Sequence, residues 1–437
     1  MPKAPDTVTL ELPAHVRWLP AAQAVVEHGA PTLGLPPKKV VRLVMAVEEI
    51  FVHLARTTPG CAVLLRLLRR GSSVQAVFRF QADVEDLWAM NLTAAQELTP
   101  TDENMDHMGL LLAAGVSDGF SITREGGTVQ LVLSQDKVYP ETTPSDRGLT
   151  AARGALRMVD DPHPAEVAEA CALARGLYPA EKLHPDLSMA GKLVDNAAGG
   201  GIVLSVAKDD AGAILGMMFW EQTSERSVGF CGPYVFSQNS GPVAKALTEN
   251  MLNCLARSRT IGVCSRRATD DLPLEGFEAL ARIHYCHKNI VCAEQRIWFR
   301  LLREDDGAVI WAHAGMVDFL EETYARLSLM RDIRTVENIG IEMPARSVLA
   351  AELNQELSEA YLRVLIPGLD VEENIRKHAA HLRSSGYENI FFTLDLALGE
   401  QACLGGALMA NGFEPALVLP FAGKSDLVVF QHVAPRS

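Results

Sequence analysis

The sequence predicts an α/β (α+β) chain built from several folded units, and three observations carry that expectation. Strand-like alternation and helix-like periodicity succeed one another along the whole length. The chain has 437 residues, of which 48% are apolar, too long for one ordinary domain and rich enough for a large buried core. The stretch VYPETTPSDRGLT, rich in Pro, Thr and Ser, reads as a linker. The expected units are residues 1–137, a linker at 138–150, and then 151–305 and 306–437.

The elements of the first unit follow from their patterns. TVTLELP alternates like a strand. After Pro36-Pro37, the run KKVVRLVMAVEEIFVHLAR places Val40, Leu43, Val44, Val47, Ile50, Phe51 and Leu54 at helical spacing. Glu48, Glu49 and His53 are expected off or beside that apolar stripe. CAVLLRLLRR and SSVQAVFRF, broken by Gly71, read as a hairpin, as do FSITRE and TVQLVL around Gly126-Gly127.

After the linker the pattern restarts. LRMVDD reads as a strand, AEVAEACALARGLYP as a helix, GIVLSVAKDDAGAILGMMFWEQ as a strand pair and SVGFCGPYVF as a further strand. GPVAKALTENMLNCLARSR is a strong helix, TIGVCS a strand, LEGFEALARI a helix and IWFRLL a closing strand. The last unit shows a helix at MVDFLEETYARLSLM, two strands in SVLAAELNQELSEAYLRVLI, and a helix VEENIRKHAAHLRSSG closed by Gly386. The strand NIFFTLDLA, the helix ACLGGALMANG and two final strands follow. The second and third units share an element order, which suggests a diverged repeat.

A net charge of −14 argues against nucleic acid or anionic membrane as the main partner. No signal peptide or membrane span is legible, so a cytoplasmic location is expected. The eight cysteines form no C-x-x-C pair and read as free thiols, with no metal site. HYCHKNIVC lacks a known ligand spacing.

The phrase AVEEIFVHLA carries a resemblance. Residues 8–135 resemble the ATP-binding domain of bacterial anti-sigma-factor serine kinases, of the GHKL superfamily. In that family a helix carries E-x-x-x-N, with a further acid before it. The resemblance implies Glu49 as the catalytic base of phosphoryl transfer and places His53 where the family has its magnesium-binding asparagine. A spacing of four sets both side chains on one helix face, about 6 Å apart. Imidazole offers nitrogen to an ion that prefers oxygen, so the exchange weakens the metal site. The family's adenine-reading aspartate corresponds to Asp83 in RFQADVEDLW, where both glycines of D-x-G-x-G are missing. Gly109 in HMGLLLAAGVSDGFSI matches its phosphate-side glycine segment, with His107 in place of the first glycine.

Residues 150–305 resemble a GNAT acyltransferase domain. There a strand ends in a splayed tip and a Q/R-x-x-G-x-G/A loop opens a helix whose N–H groups hold the pyrophosphate of acetyl-CoA. In YVFSQNSGPVAKAL, Gln238 and Gly241 match and Val243 departs. Where the family often has a tyrosine acid, the aligned phrase offers Phe277, which has no proton to give. Cys231 reads as a small buried residue. The third unit resembles the C-terminal half of the same fold, keeping only Gly368 of the phosphate loop.

The expectation is thus a GHKL-type α/β sandwich followed by a GNAT-like mixed-sheet domain and a second, partial one. The expected role is regulatory, with a kinase-like domain that has lost ordinary ATP/Mg turnover and binds a protein partner of the sigma-factor or antagonist type. The alternatives are an acetyl-CoA-dependent N-acyltransferase and a working serine kinase. The kinase resemblance also implies a homodimer.

Overall fold

The computed structural model describes residues 7–81, 88, 91–93, 113, 115–125, 127–287, 290–337, 343–354 and 358–433. Asp83, His107 and Gly109 lie outside these residues.

The first unit is a sheet backed by two helices. Strands β1 (Thr7–Pro13), β2 (Ala62–Arg70), β3 (Ser73–Gln81), β4 (Gly119–Glu125) and β5 (Thr128–Asp136) form a five-stranded sheet in the order β1-β2-β3-β5-β4. All its pairings are antiparallel. Alternate residues of β5 are buried, as expected of a sheet with one face packed. Helices α1 (Leu19–Thr32) and α2 (Pro37–Thr57) cover that face. The buried side of α2 is wider than its apolar stripe, for it takes in Ala46 and His53 as well.

The middle unit contains β6 (Arg157–Val159), β7 (Val203–Lys208), β8 (Ile214–Gln222), β9 (Ser227–Val235), β10 (Gly262–Ala268), β11 (Glu278–His287) and β12 (Ile290–Leu301). They form one seven-stranded sheet in the order β11-β12-β10-β9-β8-β7-β6. The β9–β10 pair is parallel and the others are antiparallel. Helices α3 (Pro164–Leu177) and α4 (Ala190–Ala198) pack on one face. Helix α5 (Ser240–Leu255), which connects β9 to β10, packs on the other. Coverage on both sides explains why β9 is buried at every position.

Two expectations need correction here. LEGFEALARI is no helix, since it forms a turn at Gly276 and then enters β11. Phe277, Leu280 and Ala281 fall at helical spacing, but eight residues of β11 paired with β12 impose the strand. The cysteines are also not all free, because Cys286 is disulfide-bonded. Cys61, Cys171, Cys231, Cys254, Cys264 and Cys403 are free thiols.

A parallel pair, β13 (Ala308–Ala312) and β14 (Arg331–Thr335), flanks helix α6 (Val317–Leu327). The last sheet contains β15 (Val348–Asn354), β16 (Glu359–Ile366), β17 (Asn389–Asp395), β18 (Phe413–Leu419) and β19 (Leu427–His432). Its order is β15-β16-β17-β19-β18, with β16 and β17 parallel and helix α7 (Val371–Ser384) between them in sequence. The middle sheet contains the same five-strand pattern, β8-β9-β10-β12-β11, so the repeated element order corresponds to a repeated topology.

The units are bonded to one another. Asp195 on α4 accepts from Arg69 (2.9 Å), Lys137 (2.9 Å) and Tyr139 (2.7 Å), which ties the β2–β3 turn to the middle unit. Gly71 at that turn has φ +56°, and a Cβ there would meet Asn196 at 2.5 Å. The middle and last sheets meet through Arg267 on β10 and Glu359 on β16, paired at 2.6 Å with side chains 8% and 7% exposed. Asn389 bonds both the N–H and the C=O of Cys286, at 2.8 and 2.9 Å, as a strand neighbour would. Asn91 accepts from the N–H of Leu349 and donates to the carbonyl of Ser347, which anchors the first unit to the last.

Removing one partner of a buried ion pair leaves the other charge stranded. Glu359→Gln is therefore expected to lower stability by about 3–5 kcal/mol in chemical denaturation. A change below 1 kcal/mol, on the order of an exposed pair, would show that the Arg267–Glu359 contact does not hold the sheets together.

Candidate functional site

Glu49 and His53 occupy successive turns of α2 in different environments. Glu49 is half-buried, and burial, followed by the neighbouring Glu48 charge, raises its carboxyl above the ordinary range while Arg56 opposes. Glu48 is engaged by the amide of Gln23 at 2.9 Å. His53 is only 4% exposed and lies with the core of the first unit, which corrects the expectation that it sits beside the apolar stripe. The sheet packed on α2 buries a wider arc than the apolar residues alone. An imidazole drawn into that core is poorly placed to share an ion with phosphates in solvent. Among the described residues no group of three or more His, Cys, Asp or Glu side chains is arranged to hold a metal.

The middle unit builds a more informative arrangement at the end of β9. Parallel register between β9 and β10 runs from Ser227↔Gly262 to Gly232↔Ala268. Beyond that point the strands no longer pair, and buried N–H and C=O groups need other partners. Two side chains supply them. Thr269 donates its hydroxyl to the Pro233 carbonyl at 2.5 Å. The Tyr178 hydroxyl, at the end of α3, accepts from the Val235 N–H at 2.6 Å. Its own proton has two acceptors near, Asp271 at 2.7 Å and the Val235 carbonyl at 3.2 Å. The shorter, charged acceptor is the stronger one. Burial first, and the Asp271 carboxylate with it, keeps the Tyr178 hydroxyl protonated far above its ordinary range.

The gap between β9 and β10 is thus filled from within. Pro233 has no N–H to offer. Val235 has already committed its own. The cover over this gap is well packed. Tyr178 and Tyr234 meet edge to face with ring centres 5.4 Å apart. The buried Tyr234 hydroxyl donates to the Lys182 carbonyl at 3.1 Å and accepts from His184 N–H at 3.3 Å. Arg267 donates to the Glu181 carbonyl at 3.2 Å.

Gln238 and Gly241 stand just outside, at the start of α5. Both are exposed, and a Cβ on Gly241 would meet nothing within 4 Å. The helix start is therefore open to an anion, though separated from a closed gap. Phe277 is buried and meets Phe230 edge to face at 5.8 Å, so its ring belongs to the core. Cys231 is buried, and desolvation pushes its thiol up to about 12, which disfavours the thiolate. In the last unit, a Cβ on Gly368 would sit 2.4 Å from backbone at Arg346. Glu372 and Glu373 occupy the first turn of α7. Asp370 and Glu373 line a cavity of about 290 Å³ there. Arg346 and Lys377 line the same cavity, so its charge is mixed.

Sequence reasoning singled out Gln238 and Gly241 but not Tyr178, Thr269 or Asp271. The available signal was Pro233, since a proline inside a central strand marks an irregular ladder.

No known family profile matches this chain. No curated protein matches it either. Among solved structures, a GNAT-family acetyltransferase from Staphylococcus aureus Mu50 is similar at 13% identity over 34% of this chain and 100% of that one, with a TM-score of 0.25. Aminoglycoside 6′-acetyltransferase type Ii shows 15% identity over 35% of this chain and 99% of its own, with a TM-score of 0.28. A GNAT-family N-acetyltransferase from Escherichia coli, solved with CoA, shows 19% identity over 36% of this chain and 85% of its own, with a TM-score of 0.24. Part of the chain has a GNAT acetyltransferase-like fold, on the strength of its own strand order, parallel pair and crossing helix.

Tyr178→Phe removes the acceptor for a buried N–H and is expected to cost about 1–3 kcal/mol in denaturation experiments. An unchanged midpoint would mean that Val235 finds another partner. The same cover should respond to acid. Burial chiefly, with Arg266 and Arg267 adding to it against Asp186, pushes His184 down to about 4 from an ordinary 6.5. Burial, then Arg383, pushes His432 down to about 4 as well. The native state holds both rings neutral while the unfolded chain takes up protons. Stability is thus full above about pH 6.5 and falls as pH drops toward 4. Denaturation midpoints for the wild type and His184→Gln across that window check this. The variant should lose part of the slope.

Proposed function

We propose that this protein is a non-catalytic regulatory protein whose acyltransferase-type middle unit serves as a binding platform. The observation that carries this reading is the Tyr178 hydroxyl seated on Val235, with Asp271 behind it. An acyl-CoA chain needs that backbone edge, and here the protein's own side chains take it. The buried Phe277 and the high-lying Cys231 thiol support the same reading.

On this reading the first unit is a kinase-type nucleotide framework turned to protein binding. The withdrawal of His53 from solvent supports it, because a phosphate-bridging magnesium needs an accessible ligand. The partner is a protein of the sigma-factor or antagonist type, held by contact rather than by phosphoryl transfer.

A second reading has one observation in its favour. Gln238 and the open space at Gly241 leave the start of α5 free for a pyrophosphate. An acetyl-CoA-dependent N-acyltransferase would then require Tyr178 to leave Val235 before each turnover.

Isothermal titration with acetyl-CoA and with Mg-ATP separates these readings. The unaltered protein is expected to bind neither, and to release no CoA thiol in the presence of a primary amine. Saturable acetyl-CoA binding together with amine-dependent thiol release would establish the second reading in place of the first.

A further inference from the structure

Strand β14 offers a free edge among the described residues, for it pairs with β13 on one side and with no other described strand. The printed ladder fixes which groups point outward. Ala308 N–H donates to the Met330 carbonyl, and Val336 N–H donates to the Ala312 carbonyl. Even-numbered residues from 330 to 336 therefore face β13. The N–H and C=O groups of Arg331, Ile333 and Thr335 face away from it.

The sequence of this edge, Arg331-Asp332-Ile333-Arg334-Thr335, is complementary to its own reverse. Set antiparallel against a second copy and centred on Ile333, it places Arg331 opposite the second copy's Thr335 and Ile333 opposite its equivalent. These are the outward-facing positions, so they form the hydrogen-bonded pairs. Between them Asp332 falls opposite Arg334 of the second copy, in the non-hydrogen-bonded position where side chains are closest, about 4.5 Å between Cα atoms. Asp332 and Arg334 are both exposed and already pair within the strand at 3.0 Å. Met330, 70% exposed, would meet Val336 of the second copy and lose exposed apolar surface. A shift of one residue would set inward-facing groups against outward-facing ones, and a shift of two would break the charge pairing.

We propose that the protein self-associates through β14, with two copies joined about a twofold axis at Ile333 into a sheet ordered β13-β14-β14-β13. The occupant of this edge is a second copy of this chain, because hydrogen-bond parity and charge pairing are satisfied in the same register. An isologous contact of this kind closes on itself and does not propagate.

Sedimentation velocity on the full chain over a wide concentration range tests the proposal. The wild type should show a concentration-dependent dimer. Asp332→Arg sets arginine against arginine and Arg334→Asp sets aspartate against aspartate, so each should weaken association by about tenfold or more. Mixing these two variants restores both opposite-charge pairs, and the mixed dimer should return. Ile333→Pro removes an outward N–H while leaving the bonds to β13 intact, and should abolish the dimer. A wild type that stays monomeric throughout overturns the proposal. So does a dimer indifferent to the charge variants, or a mixture that fails to regain association.

Discussion

Parallel strands that diverge inside a protein leave backbone polar groups facing a dry gap, and that constraint governs the middle of this molecule. Each such group needs a partner, because an unmet buried hydrogen bond costs more than a made one contributes. The side-chain hydroxyls of Tyr178 and Thr269 meet the need on β9. Tyr178 is held in turn by Asp271 and by the ring of Tyr234. The gap beside β9 thereby becomes part of the packed interior, and the proposed platform role rests on that closure.

The same architecture recurs in the last unit with a different solution. There, Val348 and Ile366 at the ends of β15 and β16 enter the hydrophobic core of the first unit. Asn91 reaches back from the first unit to bond Ser347 and Leu349. The repeat therefore spends its open end on an internal contact. Asp195, Arg267 and Asn389 make the remaining joints. Each joint relies on charge or bidentate geometry, which fixes register more sharply than apolar contact does.

Much of this was legible because local patterns agree with the tertiary result. The seven apolar positions of α2 predicted a helix, and they pack as one. The hairpins around Gly71 and between β4 and β5, the helix after Gln238, and the repeated element order all follow from short-range signals. Residues 278–287 were misread because Phe277, Leu280 and Ala281 fit a helix equally well, and pairing with β12 decided the matter. His53 was misplaced because burial depends on how broad a face the sheet covers, which no single helix records. Cys286 was misread because oxidation depends on proximity in space rather than on a spacing motif.

The sequence by itself determined the elements, their order, the acidic surface and the candidate groups at Glu49, Gln238 and Gly241. It did so because hydrophobic periodicity and turn chemistry act over a few residues. Only the tertiary structure decided that the gap beside β9 is closed, that His53 is withdrawn and that β14 has an edge to offer. Tyr178 and Val235 lie 57 residues apart, and Arg267 and Glu359 lie 92 apart. Partnerships at that range are set by sheet topology and packing, which no local pattern encodes.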